Sequence, residues 1–274
     1  MGGGLGDFVL DSRQWPAMAP PHRAFLERAL PTLRADARLA GVAAGGSFIG
    51  GRLDEQSDLD LVVVAGADRA PAVLRDGARL ARALGPLLSE FVGDHVGEPR
   101  LLICLYGPPL LHVDLKFYSL EELAHRVEDP TILWDRHGAV RAAMARTPAV
   151  YPLPRFQWME DRFWTWVHYT AVKIARGELF EAIDALTFVR ARVLGPLLLA
   201  DAGAQPTGVR RVEGSAPHDV ALLRRTVALH DRDGCRDALN ATVDLYTTLR
   251  ERLASPALVC RSEAEREVRD FLRA

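Results

Sequence analysis

Apolar residues in the first half of the chain gather in short runs, and in the second half in long stripes at helical spacing. Pro20-Pro21 can open a helix, because proline suits a first turn. Phe25, Leu26, Leu30, Leu33 and Leu39 continue it at helical spacing, with Pro31 as a kink or break. Residues 39–45 read as a short buried strand, 48–57 as a loop and 58–65 as a second strand. An amphipathic helix is expected over 70–92, with Val73, Leu74, Leu80, Leu84, Leu87, Leu88 and Phe91 on its apolar side and an interruption at Pro86. Residues 100–106 and 110–118 form a strand–turn–strand unit about Gly107-Pro108-Pro109. In its second strand Val113, Leu115 and Phe117 share one face, while His112, Asp114, Lys116 and Tyr118 share the other.

Residues 119–155 are mixed, with Trp134 in a short strand and prolines 148, 152 and 154 as a link. Helices alone follow, over 156–176, 178–200 (strained or broken near Gly195-Pro196), 217–230, 234–254 and 261–273, with a turn region around 206–213. The expected organisation is an α/β domain over 1–150 and a helical domain over 151–274. Repeats, low-complexity tracts and heptad runs are absent from the sequence.

Composition narrows the class. The 274 residues are 49% hydrophobic and 26% charged, ordinary for a protein with a sizeable core. A net charge of −2 lacks the basic footprint of a nucleic-acid binder, so no nucleic-acid partner is expected. Cys104, Cys235 and Cys260 are odd in number and widely spaced, as in a reducing compartment. The start, residues 1–6, has neither a signal-peptide pattern nor a lipidation motif, and no run approaches a membrane span. The expected location is cytoplasmic.

The chemistry concentrates in residues 42–64. An apolar run enters Gly45-Gly46-Ser47, and Asp58-Leu59-Asp60 then opens a second run, Leu61-Val62-Val63-Val64. In a strand Asp58 and Asp60 point the same way, with Cα atoms roughly 6.5 Å apart. Carboxylates so placed can hold two divalent ions about 3.5–4 Å apart, the separation used in phosphoryl chemistry. Gly46-Ser47 supplies backbone that a phosphate can approach closely, with N–H groups and a hydroxyl as donors.

The pattern Gly46-Ser47, about ten residues, then Asp58-Leu59-Asp60-Leu61 resembles the signature of the DNA polymerase β-like nucleotidyltransferase superfamily. The domain order extends the resemblance to bacterial small-molecule adenylyltransferases of the aminoglycoside and lincosamide type. The resemblance implies an α/β (α+β) nucleotidyltransferase domain with a small mixed sheet and helices on one side, followed by an all-α helical bundle that closes one side of the cleft. It implies transfer of a nucleoside monophosphate from ATP or another nucleoside triphosphate to a small-molecule hydroxyl, an antibiotic among the candidates, with release of pyrophosphate. Asp58 and Asp60 would hold two Mg²⁺ ions. Asp114 would be the third acid, as metal ligand, as proton acceptor or as both. Gly46 and Ser47 would hold the β and γ phosphates.

The only lysines are Lys116 and Lys173. Lys173 shares a helix face with Tyr169, Trp166 and Arg176. It would reach the triphosphate, as in several similar enzymes; the alternative is a surface lysine covering Trp166. Lys116 would pair with Asp114 or Asp60. The aromatics of 156–169 fit a core better than a ligand stack. His112 and His168 lack metal-ligand spacing, Arg52 could touch phosphate, and Arg210-Arg211 fit a solvated turn. No P-loop, dinucleotide fingerprint, serine-hydrolase elbow or zinc-protease motif is present. Two other functions remain: a nucleotidyltransferase acting on protein or RNA, and a non-catalytic nucleotide-binding regulatory module. The presence of all three acids argues against the latter.

Overall fold

The computed structural model describes residues 7–253 and 255–273. The glycine-rich start read for leader and lipid signals, and the last residue of the helix expected to 254, lie outside the described residues. The chain divides into two compact units between Tyr151 and Pro152.

In the first unit the described residues form one mixed sheet of seven strands: β1 (Phe8–Val9), β2 (Leu39–Ala44), β3 (Leu59–Ala65), β4 (Leu87–Gly93), β5 (Glu98–Tyr106), β6 (Leu111–Ser119) and β7 (Thr131–Asp135). Their order is β1-β7-β2-β3-β6-β5-β4. The β3–β6 pair is parallel and the other neighbours are antiparallel. Every residue of β2 is buried, as expected of a strand in a sheet covered on both faces.

Helices cover both faces, where the resemblance implied one. Leu59, Leu61, Val63 and Ala65 of β3 join an apolar cluster with α1 (Pro20–Ala35), α2 (Ala70–Arg75) and α3 (Gly77–Ala83). The alternate residues Val62 and Val64 face a second cluster, built with Leu123 of α4 (Leu120–Leu123) and Val140 and Ala143 of α5 (Ala139–Met144). The valine run 62–64 is therefore apolar on both sides for a reason, since consecutive residues serve opposite layers.

The long helix expected over 70–92 does not form. It breaks into α2 and α3, and residues 87–93 become the edge strand β4, paired among the described residues with β5 alone. Gly85-Pro86 ends the helical pattern, because proline cannot donate to the preceding turn. The seven residues that follow gain a ladder with β5 rather than a buried helix face. Leu88, Phe91 and Val92 consequently stay exposed.

The second unit is helical, with α6 (Phe156–Arg176), α7 (Leu179–Val189), α8 (Gly195–Asp201), α9 (Val212–Ser215), α10 (Val220–Arg225), α11 (Arg232–Leu253) and α12 (Ser262–Arg273). Its core gathers Phe163, Trp164, Leu186, Val193, Leu197, Leu239 and Tyr246. The break expected near Gly195-Pro196 is a π-helical turn over Arg190–Leu194 that joins α7 to α8. Widening one turn accommodates the missing proline donor without ending the helix. Gly195 is required there, since a Cβ would stand 2.3 Å from the Gly208 carbonyl oxygen.

The helix expected over 217–230 is shortened to α10. The Arg190 guanidinium takes the Thr226 carbonyl at 3.2 Å, closing the helix end. Val227 and Leu229 beyond it are exposed and offer no face to bury. Among the described residues no helix is long and apolar enough to cross a membrane.

Candidate active site

The Gly45-Gly46-Ser47 turn connects β2 to the loop before β3. The Gly45 N–H donates to the Asp60 carbonyl at 2.9 Å, so the turn is tied to the strand that carries the acids. A short 3₁₀ turn, Gly46–Phe48, follows. Gly46 has φ +55°, and a Cβ there would lie 1.8 Å from Asp60 Oδ2. The Asp60 carboxylate therefore rests against the Gly46 backbone, at a position only glycine can fill. Ser47 is 4% exposed, and its carbonyl accepts the Arg52 N–H at 3.0 Å, closing the start of the loop.

The far end of that loop is also tethered. Ser57 Oγ donates to Asp54 Oδ1 at 2.9 Å, and the Asp54 N–H donates back to Ser57 Oγ at 3.0 Å. The buried His22 ring brings Nε2 to 2.6 Å from the Ser57 carbonyl. Asp58 follows immediately, half-buried at the entry to β3.

Asp60 and Asp114 are register partners in the parallel β3–β6 ladder. Neighbouring strands lie about 4.8 Å apart, and register partners share a face, so the two carboxylates stand side by side. The row continues through Ile103 on β5 and Phe91 on β4. It lies on the face that α4 and α5 cover at Val64. Among the described residues no group of three or more His, Cys, Asp or Glu side chains is arranged to hold a metal ion. Asp60 and Asp114 are thus brought together as a pair, with Asp58 at the strand entry.

His112, to which the sequence assigned no role, places Nε2 3.0 Å from Asp114 Oδ1. Lys116 turns to Glu98 instead of the acids, with Nζ 2.9 Å from Glu98 Oε2. Partial burial disfavours its charge, but the hydrogen bonds to Glu98 and Tyr118 outweigh that and hold its pKa above the usual lysine value. Arg52 is exposed, and its backbone serves the loop.

Glu128 was not singled out from the sequence. It lies in the loop between α4 and β7, and its Oε1 accepts the Gly46 N–H at 3.1 Å. The same oxygen would stand 3.0 Å from a Cβ on Gly45. Within the sequence, Glu128-Asp129-Pro130 has only the character of a polar turn. A contact spanning 82 residues leaves no local signature.

In the second unit Lys173 occupies the last turn of α6. Its ammonium lies 2.7 Å from Glu178 Oε2 and 3.0 Å from Glu181 Oε1, over the Tyr169 ring. Hydrogen bonds to Glu178 and then Glu181 raise its pKa above the lysine range. Of the α6 aromatics, Phe163 and Trp164 are buried in the core, with Phe163 stacked on Tyr246. Trp166 and Tyr169 instead line a cavity of about 240 Å³ with Glu181, Asp184 and Phe188. His168 packs against Phe271, and Arg211 takes a left-handed turn conformation.

No protein-family model matches this chain, and no curated protein matches it. The crystal structure of an aminoglycoside 6-adenyltransferase from Bacillus subtilis is similar over 90% of this chain and 96% of its own, at 13% identity and a TM-score of 0.40. At that score the likeness decides neither the fold nor the chemistry of this chain.

Proposed function

We propose that the first unit carries a nucleotidyltransferase site that moves a nucleoside monophosphate, AMP from ATP, onto a hydroxyl of a small molecule and releases pyrophosphate. One observation supports this above the others. Asp60 and Asp114 are register partners on parallel strands, and the Asp60 carboxylate lies against the Gly46 backbone. An acidic pair beside a glycine-serine turn suits a ligand that carries both a cation and a polyphosphate.

The donor set fits magnesium. That ion takes hard oxygen ligands, commonly one or two carboxylates, with water and substrate phosphates completing its octahedron. Asp60 and Asp114 would hold it, with Asp58 available at the strand entry. When bound, magnesium would neutralise charge on the phosphates and steady the leaving oxygen.

This chain's own groups would do the rest. The Gly46 N–H and Ser47 hydroxyl would donate to the β and γ phosphates, fixing the leaving pyrophosphate in line with the attack. Asp114 would accept the proton that leaves the acceptor hydroxyl, with His112 holding its carboxylate in place. Lys173 is the second unit's candidate for a phosphate contact, and it would have to exchange two carboxylates for that phosphate.

The test is a transfer assay with labelled ATP or GTP, Mg²⁺ and a panel of hydroxylated antibiotics. Labelled acceptor and pyrophosphate should appear with the wild-type chain and vanish in Asp60→Asn. Nucleotide binding without any pyrophosphate release would favour the non-catalytic module. Label recovered on protein or RNA would favour a macromolecular acceptor.

A further inference from the structure

The Gly46 amide has an occupant already. Glu128 Oε1 accepts its hydrogen at 3.1 Å, and that oxygen also stands 3.0 Å from the Cβ position of Gly45. A carboxylate is thus seated on the backbone donor that a phosphate oxygen would need. The amide supplies one hydrogen, so the two acceptors are in competition for it.

The surroundings argue for a side chain that can leave while its loop stays. Arg126, two residues earlier, is 8% exposed. Its Nε donates to Asp129 Oδ1 at 2.6 Å and its Nη1 to the Thr147 carbonyl at 3.0 Å. Pro130 on the other side is buried. The loop is pinned on both flanks of Glu128, whose own side chain is half-buried. Release of the Gly46 amide needs a rotamer change of one side chain, a fast and inexpensive motion.

Two roles could explain a carboxylate here. As a metal ligand, Glu128 would complete a cluster with Asp60 and Asp114, but among the described residues no three such groups are gathered around one point. As an anion on a backbone donor, it makes the contact observed. We infer that Glu128 is an internal competitor for the phosphate position: its carboxylate holds the Gly46 amide while no ligand is bound and must be expelled by a polyphosphate.

This rests on the reading of the Gly46–Ser47 turn as a phosphate site. Its consequence is thermodynamic. Apparent affinity is the intrinsic affinity multiplied by the fraction of molecules whose amide is open. A closed majority lowers the affinity of every anion by the same factor. Weak anions such as inorganic phosphate then fall below useful occupancy, while a metal-bearing triphosphate still binds.

Inorganic tripolyphosphate is a suitable probe, titrated calorimetrically into the full chain without metal. Glu128→Gln keeps the size of the side chain and removes its charge; Glu128→Ala removes the acceptor as well. Each should bind tripolyphosphate on the order of tenfold more tightly than wild type, because a charge-assisted hydrogen bond no longer has to be broken. The alanine variant should bind at least as tightly as the glutamine variant. Melting curves of the three ligand-free proteins check that all are folded.

Unchanged affinity in both folded variants overturns the inference and leaves the phosphate reading standing, provided wild type binds. Weaker binding in both variants overturns it in favour of a supporting or ligating Glu128. Absence of binding in all three overturns the phosphate reading and this inference with it.

Discussion

The Asp60 carboxylate fills the space where a side chain on Gly46 would begin, its Oδ2 lying 1.8 Å from that Cβ position. The turn and the acid therefore cannot be altered independently. Gly46→Ala should cost roughly 1–3 kcal/mol from its positive φ alone, with a further penalty from the clash. Transfer should fall to background. Urea denaturation beside a pyrophosphate-release assay checks both, and a stable, active alanine variant would contradict the geometry.

Asp60 and Asp114, as register partners of like charge, repel one another when no cation is present. Asp114→Asn should raise the stability of the ligand-free protein by about 0.2–1 kcal/mol, the usual worth of a cross-strand pair. It should at the same time abolish transfer and reduce the melting-temperature rise produced by Mg²⁺ with ATP. A destabilised variant that keeps its Mg²⁺-ATP response would mean the pair is structural.

Lys173 is held by Glu178 and Glu181. If it serves the triphosphate, Lys173→Ala should raise the KM for ATP, and the double change Glu178→Gln with Glu181→Gln should lower it by freeing the ammonium. A purely structural lysine would leave KM unchanged in both proteins and alter only the melting temperature.

Asp36 is tied by two side-chain hydrogen bonds from the Arg38 Nε and one from its Nη2, and these hold its carboxyl below the usual carboxylate pKa. A depressed folded-state pKa contributes stability that is fully present above the unfolded value of about 3.9 and is lost as pH falls through the folded value. Wild type should therefore exceed Asp36→Asn by about 1 kcal/mol at neutral pH. The gap should hold to about pH 5 and close below pH 4. Denaturation midpoints across that range test the sign; a gap that widens on acidification would refute it.

Burial pushes the Cys104 thiol up to about 12, and Cys235 is buried as well, while Cys260 is exposed. A thiolate-specific reagent at pH 8 should label Cys260 rapidly and the other two only after denaturant is added. Peptide mapping distinguishes the three, and fast native labelling of Cys104 would contradict its position in the sheet core.

What the sequence by itself determined was local. Asp60 on one face of its strand, Leu59 and Leu61 on the other, and the α6 helix over 156–176 all follow from the period of a strand or a helix, which neighbouring residues set, while Asp58, expected on the same face as Asp60, precedes the strand. The apolar run Val62–Val64 announced burial for the same reason. Only the tertiary structure decided which strands became neighbours. The parallel register that puts Asp114 beside Asp60 depends on a crossover through α2, α3, β4 and β5, and nothing within either strand encodes it. Residues 87–93 match a helical pattern as well as a strand, and the open edge of β5 settled the matter through a ladder of backbone hydrogen bonds. Lys116 found Glu98, and Lys173 found Glu178 and Glu181, because a charged side chain takes whichever opposite charge the fold brings within reach. Glu128 reaches Gly46 across 82 residues, a distance at which no periodicity survives and only the packed sheet defines who meets whom.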